Sequence, residues 1–276
     1  MEIILFDTTM RDGELTPEVT MNLAQKIEIA ELLDGIEVDV IEVGYPGFNQ
    51  KDFQEISVIS QRVKKTIICG LANSKAKEIE ILGEALKNAH RGRINIFTNI
   101  NTRGLSPLKS AAVLEEISQS ITLARNYCDD IQWSAFDAVR SNFDFLIQAI
   151  NIAISTGAKT ICIPDTFGTL DSNQFSHFIE QIIDRVDNIE QAIISVHCHN
   201  DRGLAIENSL AAIDAGARQI ECSLNGLGAR KGNADLAEIA AKINRDNQYK
   251  INLDVDLVKK ASRSLDKIIN NKAINN

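Results

Sequence analysis

Residues 3–13 read Ile-Ile-Leu-Phe-Asp-Thr-Thr-Met-Arg-Asp-Gly, and this stretch decides between two folds. The apolar run Ile3–Phe6 is too short for a helix, and its continuous apolarity is typical of a parallel strand covered on both faces. The polar segment after it contains one glycine. It therefore does not match the glycine-rich phosphate loop that follows the first strand of an open dinucleotide-binding sheet. The start of the chain favours a barrel over a doubly wound sheet.

Seven more short apolar runs, rich in isoleucine and valine, lie at Val38–Val43, Thr66–Gly70, Arg93–Phe97, Asp130–Ser134, Thr160–Ile163, Ala192–Val196 and Gln219–Ser223. Segments with helical periodicity follow them in turn, at 22–33, 50–63, 74–89, 112–125, 142–156, 172–187, 203–215 and 233–245. Eight strand–helix units predict an α/β fold, the (β/α)₈ or TIM barrel. One more amphipathic segment, Val255–Ile269, follows the eighth helix. We therefore predict a barrel domain over 1–248 and a short C-terminal helical tail over 249–276.

Composition excludes several classes of function. The 276 residues carry a net charge of −9, which argues against nucleic-acid binding and against binding to an anionic membrane surface. No run approaches the length of a transmembrane helix, and the N-terminus lacks the basic region of a signal peptide. The five cysteines are scattered and odd in number, as expected of free thiols in a reducing compartment. We expect a cytoplasmic protein.

The strongest chemical signal follows the seventh predicted strand, in the segment His197-Cys-His-Asn-Asp201. The two-residue period of a strand places His197 and His199 on the same side, where two imidazoles form a natural clip for a divalent metal. In a closed barrel, strands 7, 8 and 1 are neighbours, so Asp12 and Asn233 can reach the same ion. We predict a metal site with these four ligands. The alternative is that both histidines only hydrogen-bond to loop backbone.

Other polar side chains follow the predicted strands at the same end of the barrel, where active sites of this fold are built. Arg11 is a permanently charged planar donor that suits a substrate carboxylate or a developing oxyanion, unless it pairs with Glu42 or Asp7. Glu14 and Glu42 are candidates for acid–base chemistry or for orienting the metal ligands. Ser134, at the end of the fifth strand, is a candidate substrate contact.

These segments resemble, in order, the motifs of the 2-isopropylmalate, homocitrate and citramalate synthase family. The matching segments are Asp7–Glu14, Ile41–Pro46, Ile163–Gly168, His197–Ala205 and Asn225–Asn233. The similarity covers residues 2 to about 245, which is essentially the whole predicted barrel.

The resemblance implies a metal-dependent acyltransferase of amino-acid biosynthesis that condenses acetyl-CoA, as co-substrate, with a 2-oxo acid. Residues matching Asp12, His197, His199 and Asn233 hold the ion, for which magnesium, manganese and zinc are all suitable. Arg11 helps the ion to polarise the keto group, and Thr166 matches a residue that holds the substrate carboxylate. Related enzymes dimerise, so a homodimer is expected.

The sequence departs from the family pattern at several positions. Leu15 stands in place of Gln, Phe136 and Ala229 stand in place of Glu, and the usual Ile-His is replaced around Gly104–Leu105. Family members continue into a C-terminal subdomain that supplies a His and a Tyr to the site, whereas this sequence ends at Asn276. We therefore expect either a compact synthase or one that needs a second subunit.

Three further functions stay open at this point. A metal-dependent lyase or aldolase acting on a 2-oxo or hydroxy acid needs the same polarised carbonyl group. A non-catalytic barrel subunit would not need to retain metal. An iron oxygenase also uses two histidines and one carboxylate, although such enzymes mostly have a different fold.

Overall fold

The structure, a computed structural model, describes residues 1–104, 106–246 and 248–270. Its strands are β1 Ile4–Asp7, β2 Val40–Glu42, β3 Ile67–Asn73, β4 Gly92–Asn99, β5 Ile131–Phe136, β6 Thr160–Asp165, β7 Ile193–Cys198 and β8 Gln219–Cys222. Its long helices are α1 Leu23–Gly35, α2 Gln50–Arg62, α3 Ala76–Leu86, α4 Pro107–Ala124, α5 Phe143–Thr156, α6 Ser172–Arg185, α7 Ala205–Asp214, α8 Leu236–Arg245 and α9 Val255–Asn270.

The eight strands are parallel and form a closed barrel in chain order. Closure is made by β8 and β1, where Leu5 pairs with Ile220 and Asp7 with Cys222. Helices α1 to α8 alternate with the strands and cover the outer face of the barrel, while the inner faces of the strands enclose its lumen. The predicted TIM barrel is confirmed. Because all strands run the same way, the loops that follow them meet at one end of the barrel.

The interior of the barrel is divided into an apolar part and a polar part. Phe6, Val40 and Cys69 form a small buried apolar cluster that belongs to β1, β2 and β3. On the other side, Gln219 of β8 donates to Gln132 of β5 at 2.9 Å. These strands are not neighbours, so this hydrogen bond crosses the lumen.

Helix α9 packs against the outside of the barrel, between α1 and α8. Its buried side chains Val258, Ala261, Leu265 and Ile268 belong to the main hydrophobic core. The apolar face of the amphipathic segment predicted at Val255–Ile269 is therefore covered by this chain itself. Residues 271–276 of the predicted tail lie outside the described residues. Across the described part of the chain, we find no helix whose length and apolarity would allow it to span a membrane.

Candidate metal centre and cavity

Three buried side chains converge at the carboxyl end of the barrel. Asp12, His197 and His199 each offer one potential ligand atom, and these atoms lie within 4.8 Å of one another. His197 lies on β7, His199 follows that strand, and Asp12 lies in the loop after β1. Asn233 joins the group through a backbone bridge to His199. The structure thus brings together the four residues predicted to bind metal.

Two polar atoms of this group are buried and have no hydrogen-bond partner among the described residues, namely Nδ1 of His199 and Oδ1 of Asn233. A buried polar atom without a partner costs about 1–3 kcal/mol, so such atoms are uncommon in the absence of a ligand. The amide nitrogen of Asn233 donates to Oδ2 of Asp12 at 2.8 Å, so the amide oxygen of Asn233 is not used in this contact. Two imidazoles, a carboxylate and an amide oxygen fit magnesium, manganese or zinc.

The protonation states of His199 and Asp12 also suit a cation, whereas for His197 burial would lower the pKa but Glu221 and Asp12 outweigh it and raise that pKa. Burial and the neighbouring His197 lower the pKa of His199 to about 3, so its imidazole is neutral at neutral pH. Burial alone would raise the pKa of Asp12, but Arg11 and the two histidines outweigh it and hold the pKa well below its ordinary value. A neutral imidazole and an ionised carboxylate are the forms that bind metals.

Arg11 is held between two carboxylates. Its Nη1 donates to Asp12 at 2.7 Å, and its Nε donates to Glu42, which is fully buried. The pairing with Glu42 that the sequence left open as an alternative is therefore present. Asn95 also donates to Glu42, at 3.0 Å, and Ser134 donates to Asn95, at 2.8 Å. These bonds leave Nη2 of Arg11 without a partner among the described residues, at the wall of the cavity.

A cavity of about 300 Å³ opens above the metal group. Its polar lining consists of Arg11, Asp12, Asn95, Ser134, Thr166, His197, His199, Glu221 and Arg230. Its remaining lining is mostly apolar and comprises Leu15, Tyr45, Leu71, Phe97, Phe136, Cys162, Pro164, Phe167 and Ala229. Tyr45, Phe97 and Phe136 contact one another in series, with ring centroids 5.7 and 6.1 Å apart. One part of the cavity wall is therefore aromatic, and another part carries the metal group.

The residues predicted to contact substrate are not all in the same situation. Arg11, Ser134 and Thr166 line the cavity. Thr166 Oγ1 accepts the backbone N–H of Asp137 at 3.1 Å, so its own proton stays available for a ligand. Ser134 uses its proton to bind Asn95.

Glu14, predicted as an acid–base group, does not line the cavity. Its two oxygens pair with Lys26 at 2.8 Å and with Lys51 at 2.5 Å. Lys26 is fully buried and also pairs with Glu55 at 2.7 Å. The ammonium group of Lys26 therefore lies between Glu14 and Glu55, and the contacts of Glu14 are those of a structural ion pair.

Glu221 is among the site residues that the sequence analysis does not identify. Glu221 lies on β8, and its Oε2 lies 2.9 Å from Nδ1 of His197. The available signal is the alternation along β8, where the polar residues Gln219 and Glu221 alternate with Ile220 and Cys222. Three family departures, Leu15, Phe136 and Ala229, also line the cavity, whereas Leu105 lies outside the described residues.

Comparison with known proteins places this site in a family context. The chain is 42% identical to a 2-isopropylmalate synthase of Rhodopseudomonas palustris (strain HaA2) over 95% of this chain and 51% of that protein. It is 43% identical to a 2-isopropylmalate synthase of Bradyrhizobium sp. (strain BTAi1 / ATCC BAA-1182) over 86% of this chain and 46% of that protein. The chain thus spans about half the length of the curated relatives it matches. The predicted resemblance is confirmed.

Among solved structures, the HMG-CoA lyase from Brucella melitensis shares the fold, with a TM-score of 0.79 and 18% identity over 97% of this chain and 99% of that chain. A family model described as HMGL-like matches residues 2–265, from the first strand into α9. The chain belongs to the HMGL-like family.

Proposed function

We propose that the chain is the metal-dependent barrel of an acyltransferase that condenses acetyl-CoA with a 2-oxo acid. The observation that carries the proposal is the buried group of Asp12, His197, His199 and Asn233, with Arg11 beside it at the bottom of the cavity. The likeness to 2-isopropylmalate synthases supports this class of reaction.

A divalent cation held by the four ligands would act as a Lewis acid on the keto oxygen of the 2-oxo acid. The free Nη2 of Arg11 donates to oxygen on the same side of the substrate, where negative charge develops. The hydroxyl group of Thr166 donates a hydrogen bond to the substrate carboxylate. The aromatic wall of Tyr45, Phe97 and Phe136 excludes water and favours a substrate whose side chain is uncharged.

The cavity offers no spare general base among the described residues. Its ionisable lining residues are Arg11, Asp12, Tyr45, Cys162, His197, His199, Glu221 and Arg230. The Tyr45 hydroxyl donates to Glu78 at 2.6 Å, and Arg230 is paired with Asp201. Burial raises the pKa of the Cys162 thiol well above its ordinary value, so it stays protonated. We therefore propose that a group outside the described barrel, from a further segment or a second subunit, removes the proton from acetyl-CoA.

The proposal is tested by metal analysis followed by an assay of thiol release. The purified chain is incubated with acetyl-CoA and pyruvate, 2-oxoisovalerate, 2-oxoglutarate or oxaloacetate, beside a His197→Ala control. Bound metal is the expected result, and metal-dependent release with one acid, lost in the control, would show that the chain or a second copy of it also supplies the base. Bound metal without release would contradict a stand-alone acyltransferase and leave a lyase or a missing subunit. Absence of both would favour a non-catalytic barrel.

The assembly state stays a prediction. We expect a homodimer, and light scattering of the purified chain measures its mass directly. A monomeric mass at the concentrations used for the assay would contradict this expectation.

A further inference from the structure

We propose that Glu221 is a positioning residue that fixes the tautomer and ring orientation of His197 for metal binding. This inference rests on the metal site of the proposed function. It concerns a residue that, among the four ligands, hydrogen-bonds only to His197 and acts through it.

The contacts of Glu221 determine which nitrogen of His197 carries the proton. Glu221 is 2% exposed. Its Oε1 accepts from Gln132 at 2.7 Å and from Ser195 at 3.2 Å, and its Oε2 faces Nδ1 of His197 at 2.9 Å. An ionised carboxylate can only accept hydrogen bonds, so Nδ1 is the protonated nitrogen. Nε2 of His197 therefore keeps its lone pair for a metal, the arrangement seen in carboxylate–histidine–metal triads.

A donor at the other end of the lumen sets the direction of this hydrogen-bonded chain. Arg93 lies near the start of β4 and pairs with Asp130 at 3.0 Å. The guanidinium group of Arg93 contains only hydrogen-bond donors. The side-chain oxygen of Gln219 must therefore face Arg93, at 2.8 Å. The amide nitrogen of Gln219 then faces the oxygen of Gln132, at 2.9 Å.

The nitrogen of Gln132 is consequently directed at Glu221. Arg93 can only donate, so it orients the amide of Gln219, and Gln219 in turn orients the amide of Gln132. These contacts form a hydrogen-bonded column that runs along the lumen and ends at one metal ligand. Its members are, in order, Asp130, Arg93, Gln219, Gln132, Glu221 and His197. His199 has no comparable support, because its Nδ1 makes no hydrogen bond with any described residue.

The first test is the affinity for Mn²⁺, measured from the electron paramagnetic resonance signal of the free ion. Glu221→Gln keeps the size of the side chain but places an amide nitrogen within reach of Nδ1, which favours the tautomer that cannot ligate through Nε2. We expect affinity to fall by about 10- to 100-fold. Glu31→Gln is the matched control, since it makes the same change of side chain at an exposed pair with Arg62, and its affinity should be unchanged.

The second test reads the tautomer directly and does not depend on a variant that folds. Nitrogen–proton correlation spectra of the Zn²⁺-loaded wild-type chain should show a proton on Nδ1 of His197 and none on Nε2. Ligation of His197 through Nδ1 would overturn the inference, as would unchanged Mn²⁺ affinity in folded Glu221→Gln. If the wild-type chain binds neither ion, the proposed function fails instead, so the two failures are distinguishable.

Discussion

The side-chain amide of Asn233 donates to the carboxylate of Asp12 at 2.8 Å, although 221 positions separate the two residues in the chain. Pairing of β8 with β1 closes the barrel and makes this contact possible. The metal group therefore exists only in the closed barrel, and its geometry depends on how closely the loop after β8 approaches the loop after β1.

Gly228 permits this close approach. A Cβ atom at position 228 would lie 2.5 Å from Nδ2 of Asn233 and 3.0 Å from Oδ2 of Asp12. We expect Gly228→Ala to push the two ligands apart and to weaken Mn²⁺ binding by about tenfold or more, on the scale of lost outer contacts to a metal site. Isothermal titration calorimetry measures the change. Gly35→Ala is the control, because a Cβ atom at position 35 meets nothing within 4 Å.

Glu14→Gln should lower stability and leave metal affinity intact. The substitution leaves the buried ammonium of Lys26 with less compensating charge, for an expected loss of about 2 kcal/mol in the free energy of unfolding. Burial would raise the pKa of Glu14, but Lys26 and Lys51 outweigh it and lower that pKa. The wild-type advantage is accordingly present at neutral pH and lost as the pH falls below the ordinary range of a glutamate.

Urea unfolding at several pH values, with Mn²⁺ titration alongside, measures both effects of Glu14→Gln. Glu31→Gln serves as the control, because Glu31 pairs with Arg62 on the exposed surface and should contribute little. A Glu14→Gln chain with wild-type stability and lost turnover would instead support an acid–base role for Glu14.

Asp7 gives the protein a second pH dependence, of opposite sign. Burial raises its pKa to about 7, so the folded chain takes up a proton that the unfolded chain releases near pH 4. This contribution to stability is complete below pH 4 and is lost as the pH rises through 7, for a decline on the order of 2–4 kcal/mol. Asp7→Asn should remove the decline, whereas Asp256→Asn, on the exposed surface, should not. Thermal unfolding in a pH series would show parallel curves if this is incorrect.

Helix α9 holds the loop that carries Asn233. The side chain of Asn225 donates to the carbonyl of Ser262 at 3.1 Å and to the carboxylate of Asp266 at 2.7 Å, both on α9. We expect Asn225→Ala to release the loop and to weaken metal binding by up to about fivefold, or about 1 kcal/mol. Arg263→Ala, an exposed change on the same helix, should have no effect. Equal affinities for the two variants would exclude this coupling.

Phe136 is the position at which a base is most simply added. It lines the cavity, whereas the stacked partner of Tyr45, Phe48, is 85% exposed and lies outside the lining. If acetyl-CoA binds as proposed, Phe136→Glu should accelerate exchange of its methyl protons with D₂O by about a hundredfold, the scale of one general base. Mass spectrometry of recovered acetyl-CoA measures the exchange. Phe48→Glu should not change it, and equal rates in both variants would contradict the placement.

Periodicity was sufficient to predict the barrel, because a parallel strand buried on both faces and an amphipathic helix leave different patterns in the sequence. The neighbours across the barrel closure followed from topology, and so the sequence alone could group Asp12 and Asn233 with the two histidines. Both inferences depend on regular geometry that every chain of this fold shares.

Side-chain direction could not be predicted in the same way. Glu14 follows the same strand as Arg11 and Asp12, yet its carboxylate turns to Lys26, whose role as a buried cation depends on how α1 packs. The role of Glu221 could not be predicted, because it depends on hydrogen bonds with Gln132 and Ser195, on two other strands. Such roles are set by contacts between residues far apart in the chain, which a local pattern does not record.

The metal group and the aromatic wall come from different strands. The ligands lie on or follow β1, β7 and β8, whereas the aromatic side chains Tyr45, Phe97 and Phe136 lie on or follow β2, β4 and β5. Mutations in the wall can therefore accumulate without replacing any ligand of the ion. Such a barrel can diversify its substrates while its reaction centre stays constant, so selection can act on recognition and on chemistry separately.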